Sequence, residues 1–209
     1  MTINKLLTQI NFKNANKSNK WLVIHYTANN GDTAKGNCQY FEKTYRGASA
    51  NYFVDEKEIW QCVEDKDIAW HVGADKYYND CRNDNSIGIE LCSRIDSNGQ
   101  YYFKDQTILN AIQLTKELMK KYNIDINHIC RHYDVTRKIC PAPFVNDPES
   151  WKQFLSRLED KQMTKEEQID LIKEKAGLDD NTMQYLQFYR YGDALIEKLA
   201  NAMKYNKII

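Results

Sequence analysis

Trp21-Leu22-Val23-Ile24-His25-Tyr26 is a short apolar run rich in strand-forming residues, with one imidazole near its end. The segments around it alternate in type. Residues 32–45 read as a helix, with Asp32 or Thr33 as its cap and Tyr40, Phe41 and Thr44 on one face. Residues 50–54 and 58–63 flank Asp55-Glu56-Lys57 and read as a hairpin. Residues 65–85 are polar and irregular, and a loop that long is more often functional than a short one. Residues 86–92 read as a strand, and Ser97-Asn98-Gly99 as a turn. Residues 104–122 form the clearest helix. Ile108, Ala111, Ile112, Thr115, Leu118, Met119 and Tyr122 fall at helical spacing and make a core face. Residues 128–132 read as another strand and 149–158 as a closing helix. Strands interleaved with helices predict an α/β fold with a central mixed β-sheet flanked by helices.

Three side chains on this framework are zinc-ligand types: His25, His132 and Cys140. Two imidazoles and a thiolate suit zinc, and three protein ligands leave a fourth position open, as a catalytic site requires. No Cys-x-x-Cys pair occurs, and His25 and His132 lie 107 residues apart. Such ligands are gathered by a folded domain, unlike the tight pairs of a zinc finger. Read singly, each has an ordinary alternative: a satisfied polar residue at a strand end, or a small buried thiol. His128 lies four residues before His132, a span of ~13 Å in a strand, too far for one ion.

Five segments, taken in order, resemble the zinc-dependent N-acetylmuramoyl-L-alanine amidases of type 2, which are related to the peptidoglycan-recognition proteins. They are Val23-Ile24-His25-Tyr26-Thr27, Ser49-Ala50-Asn51-Tyr52-Phe53-Val54-Asp55, Ala69-Trp70-His71-Val72-Gly73, Asn85-Ser86-Ile87-Gly88-Ile89-Glu90-Leu91, and His132 through Pro141. The resemblance covers roughly residues 20–155. It departs at Asn51, where the family often has His, and at Pro141-Ala142-Pro143, which replaces Pro-Gly. It implies Zn²⁺ as cofactor, with His25, His132 and Cys140 as its ligands. The implied substrate is peptidoglycan, cut between the lactyl group of N-acetylmuramic acid and L-alanine. Glu90 and Lys138 match positions with catalytic roles.

The residues are consistent with that chemistry. Ile89 and Leu91 point to the other side of their strand, so Glu90 faces the opposite way and is the candidate general base. Lys138 precedes Cys140 by two. If that segment is extended both side chains point the same way, and the ammonium can stabilise an oxyanion. Trp70, His71 and Thr27 are the candidate substrate-binding residues, and for His71 a polar loop position is the equal alternative.

The chain has 209 residues and a net charge of zero, with no basic excess to suggest nucleic acid. No run approaches the length of a membrane span, and the first residues are too polar for a signal-peptide core. The expectation is a protein kept in the cytoplasm until released, then acting on the bacterial wall, as an endolysin or autolysin. The six cysteines are expected to be thiols, with Cys81–Cys92 or Cys38–Cys62 bridges as the alternative.

Residues 1–160 are read as the catalytic domain. After the polar linker Glu159-Asp160-Lys161-Gln162, residues 161–209 are read as a helical C-terminal module. Thr164-Lys165-Glu166-Glu167 is a capping box, Gly177 suits a helix end, and residues 179–191 and 193–205 read as further helices. So short a segment buries little core alone. It implies wall targeting or a homo-oligomer. Three rivals to catalysis by zinc stand: a non-catalytic peptidoglycan-binding module, a thiol hydrolase using Cys140 or Cys38, and an interaction protein built on the tail.

Overall fold

A computed structural model describes residues 2–159 and 163–204. In chain order the elements are β1 (Asn4–Lys5), β2 (Trp21–Tyr26), α1 (Ala34–Glu42), β3 (Tyr52–Val54), β4 (Ile59–Gln61), β5 (Ser86–Leu91), β6 (Arg94–Ile95), β7 (Tyr101–Tyr102) and α2 (Asp105–Tyr122). After a 3₁₀ turn at Ile126–His128 come β8 (Ile129–Arg131), α3 (His132–Thr136), α4 (Ala142–Asn146), α5 (Pro148–Glu159), α6 (Lys165–Ala176), α7 (Asp180–Phe188) and α8 (Gly192–Lys204). The chain divides into two compact units, Met1–Glu159 and Asp160–Ile209.

The larger unit is the predicted mixed sheet flanked by helices, with strand order β1-β4-β3-β5-β2-β8. β2 is parallel to both of its neighbours, β5 and β8, and among the described residues of this six-stranded sheet only the β3–β4 pairing is antiparallel; β6 and β7 form a separate antiparallel pair. A central parallel strand is covered on both faces, which is why Leu22, Val23, Ile24 and His25 are all buried. Leu22 and Ile24 join Ile87, Ile89 and Leu91 in the main core, where Leu114, Leu118, Phe144 and Phe154 from the helices cover them. Val23 faces the other way, onto Val72, Cys81, Cys130 and Val135. The sheet thus has an apolar face and a second face on which polar side chains are interspersed.

Most boundaries follow local chemistry. Thr33 caps α1 by accepting from the Gly36 amide. α2 ends at Asn123, whose left-handed backbone closes the last turn. The strand expected over residues 128–132 is shorter, Ile129–Arg131, and His132 instead opens α3. The cause is local: the Asp134 carboxylate accepts from the Arg131 amide at 2.9 Å and starts the helix there. Asn51 acts as a sheet extension: its Oδ1 accepts from the Gly88 amide at 3.0 Å, inside the fold. All six cysteines are free thiols and buried.

In the second unit, Thr164 and Glu167 form the capping box and Gly177 terminates α6 in the left-handed region. Ile172, Met183, Ile196 and Ala200 make a small core of its own. Residues 160–162 of the expected linker, and the last residue of the expected final helix, lie outside the described residues. Among the described residues no helix is long and apolar enough to cross a membrane.

Candidate metal centre and active site

Strand parity places two of the predicted residues side by side. His25 follows Val23 onto the polar face of β2, and in the parallel register it is paired with Glu90 of β5. The Glu90 Oε1 lies 4.0 Å from His25 Nδ1. β8 adds the third strand, and His132 stands at its end as the first residue of α3. Arg137, in the left-handed region, ends α3 and reverses the chain. The Tyr133 amide then donates to the Cys140 carbonyl at 2.8 Å, which draws Cys140 back beside His132. The approach to Cys140 is bent: its amide donates to the Lys138 carbonyl at 2.7 Å, so the extended geometry considered for 138–140 does not form.

The result is one buried donor cluster. His25 Nδ1 lies 3.1 Å from His132 Nδ1 and 3.6 Å from Cys140 Sγ. The ligand atoms of all three residues fall within 4.8 Å of one another. Tetrahedral zinc with ordinary Zn–N and Zn–S bonds separates two nitrogens by ~3.3 Å and nitrogen from sulfur by ~3.6 Å. The donor set therefore fits a single zinc ion. Glu90 Oε2 strengthens the fit, because it is buried and has no hydrogen-bond partner among the described residues. A buried polar atom left unpaired is costly unless something else occupies its neighbourhood.

Electrostatics follow from burial. His25 is held neutral, well below its usual pKa, by loss of solvent and then by His132, His71 and Lys138. His132 is lowered to about 4 by burial and Lys138. Both rings are in the form that binds a metal. The Cys140 thiol is pushed up to about 12, by burial and then by Glu90. Glu90 itself is raised to about 8 by burial and Asp32, with Lys138 opposing. The Lys138 charge therefore reaches all four groups from an exposed position.

These shifts count against a thiol hydrolase. A cysteine nucleophile needs a depressed pKa, whereas burial raises Cys140. Cys38 is packed among Ala34, Ala50, Phe53, Cys62 and Cys92 and is a core residue.

The three remaining predicted residues are placed differently. Thr27 lies just beyond β2, its hydroxyl accepting from the Ser93 amide at 3.3 Å. Trp70 is partly buried, its amide donating to Ser49 Oγ at 2.9 Å, and packs edge-on to Tyr45. His71 is buried behind His25, Nδ1 to Nε2 at 3.0 Å. It reaches the metal centre through His25. Sequence reasoning did not find the groups that hold His71: Ser86, 3.2 Å from its Nε2, and Asn83, which accepts from its amide at 3.0 Å. One signal was available. Gly88 interrupts a strand, which marks a place where another group approaches closely, and a Cβ there would meet the His71 ring at 2.6 Å.

Residues 15–143 match the family described as N-acetylmuramoyl-L-alanine amidase. The chain is 36% identical over 153 residues to the N-acetylmuramoyl-L-alanine amidase CwlL of Bacillus licheniformis, covering 67% of this chain and 41% of that protein. It is 33% identical over 156 residues to BlyA of Bacillus subtilis (strain 168), covering 68% and 41%. The chain thus spans less than half the length of these curated relatives. Among solved structures, the catalytic domain of XlyA superimposes with a TM-score of 0.64 at 25% identity, covering 76% of this chain and 99% of that one. The chain belongs to the N-acetylmuramoyl-L-alanine amidase family.

Proposed function

We propose that the chain is a zinc-dependent hydrolase that cuts the amide bond between the lactyl group of N-acetylmuramic acid and L-alanine in peptidoglycan. The observation that carries this reading is the convergence of His25, His132 and Cys140 beside Glu90, whose buried Oε2 has no hydrogen-bond partner among the described residues. Its family membership and the names of its relatives support the substrate class. Zinc held by the three donors would act as a Lewis acid and would lower the pKa of water to ~7.

The chain's own residues do the rest. Burial raises the Glu90 pKa to about 8, close enough to neutrality for its carboxylate form to accept a proton and its acid form to return it. It takes the proton released in the attack and delivers it to the leaving alanine nitrogen. The Lys138 ammonium beside the centre favours the negative charge that grows on the carbonyl oxygen. Trp70 and Thr27 are proposed to line the substrate path.

The helical unit beyond residue 160 is proposed as a wall-targeting module. Tyr185 and Phe188 are 79% and 82% exposed, and Tyr189 and Tyr191 are also exposed, giving flat aromatic faces of the kind that stack on sugars. Self-association through these helices is the competing use, and sedimentation of the purified protein distinguishes the two. The protein is expected to act at the bacterial wall.

The test of the activity is digestion of purified peptidoglycan followed by mass spectrometry, with and without chelator. Stem peptides with a free L-alanine amine, lost on chelation and restored by zinc, establish the reaction. Tight wall binding without cleavage would favour a non-catalytic recognition module. Cleavage indifferent to the chelator would overturn the zinc reading.

A further inference from the structure

The geometry points to His71 as the positioning residue that fixes the tautomer and aim of His25, leaving Nδ1 of His25 as the nitrogen available to the metal. This role rests on the zinc reading above for its consequence, and the hydrogens available to the three side chains fix it. The Ser86 hydroxyl has one hydrogen, and it donates that hydrogen to the Arg82 carbonyl at 2.5 Å. Ser86 Oγ is then the acceptor for His71 Nε2–H, 3.2 Å away. A neutral imidazole carries one N–H, so His71 Nδ1 bears a lone pair. That lone pair faces His25 Nε2 at 3.0 Å, and His25 must be the donor. His25 Nδ1 is left unprotonated, facing His132 Nδ1 and Cys140 Sγ.

The fold holds this chain of hydrogen bonds rigidly. Asn83 Oδ1 accepts from the amides of both His71 and Val72, at 3.0 and 2.9 Å. The two imidazoles meet at 90°, which aims one ring's edge at the other's nitrogen. The His71 ring occupies the space that only a glycine at 88 leaves open. Lys17 donates to the carbonyls of Ser86 and Asn83 and so ties together the two residues that hold His71.

Metal-bound histidines usually give their other N–H to a carboxylate, a carbonyl or water. Here the acceptor is a second, neutral imidazole. A carboxylate would cancel one more unit of charge, so this arrangement leaves the three-ligand site more electropositive.

The test uses the whole chain and three readouts. Histidine nitrogen NMR of metal-free wild type should show His25 protonated on Nε2, and a proton on Nδ1 would overturn the inference. Zinc affinity by chelator competition should fall about 10- to 100-fold in His71→Leu. His71→Asn, whose Oδ1 can stand where Nδ1 accepted, should recover most of that loss. His71→Leu binding zinc as tightly as wild type would overturn the inference, as would His71→Asn being no better than His71→Leu. If His71→Leu does not fold, the wild-type tautomer and His71→Asn still decide. A wild type with the expected tautomer and tight zinc binding, yet no cleavage of peptidoglycan, supports the relay and refutes the amidase.

Discussion

Glu90 is penalised for its charge by burial, and Lys138 offsets only part of that penalty. Its pKa rises in the folded protein, so the native state holds the proton more tightly than the unfolded chain does. The stability this gives is fully present below the ordinary value of 4.5 and is lost as pH rises through about 8. Urea unfolding of chelator-treated protein should therefore show wild type losing about 3–4 kcal/mol between pH 5 and 8, relative to Glu90→Gln. The same substitution should lower kcat by about 10²- to 10⁴-fold while zinc content stays at wild-type level. Loss of zinc from Glu90→Gln would show that the carboxyl group holds the ion instead of moving protons.

At the scale of elements, three adjacent parallel strands matter most. β2, β5 and β8 bring His25, Glu90 and His132 to one end of the sheet. Substituting Gly88→Ala on β5 would press a methyl group into the His71 ring. It should destabilise the fold by about 1–3 kcal/mol, read from urea midpoints, and weaken zinc binding as well. On the opposite face, Phe144 packs against Phe103, Trp151 and Phe154. Phe144→Ala should cost about 3–5 kcal/mol by the same measurement without altering the zinc ligands.

How far the sequence could be read follows from the same elements. β2 and α2 were legible because continuous apolar runs and helical spacing are local signals. Glu90 was legible because strand alternation sets its face once Ile89 and Leu91 are assigned to the core. His132 was placed in a strand because the helix start at Arg131 depends on one contact with Asp134. His71 could be assigned only as a cleft or loop residue, since its partners, His25 and Ser86, come from two different strands and no period in 65–85 announces them. β1 and the β6–β7 pair, at two residues a strand, are too short to carry any pattern.

At the scale of the whole molecule, the two units each enclose their own apolar cluster. Calorimetry should resolve two transitions. Saturating zinc should raise only the one belonging to the larger unit, by RT ln of the ligand excess over Kd, about 4 kcal/mol at a thousandfold excess. A chain cut after residue 159 should keep that transition, and its response to chelator, unchanged. Equal zinc shifts in both transitions would show that the units do not unfold separately.

The distance between the ligands along the chain has a further consequence, in time. Synthesis runs from the N-terminus, and a growing chain that has exposed His25 and the whole of β5 still lacks two of the three donors. Because Cys140 comes last, after the final strand of the sheet, no complete site exists on the ribosome until that strand has docked. Metal uptake by a nascent chain would therefore mark the moment at which the sheet closes.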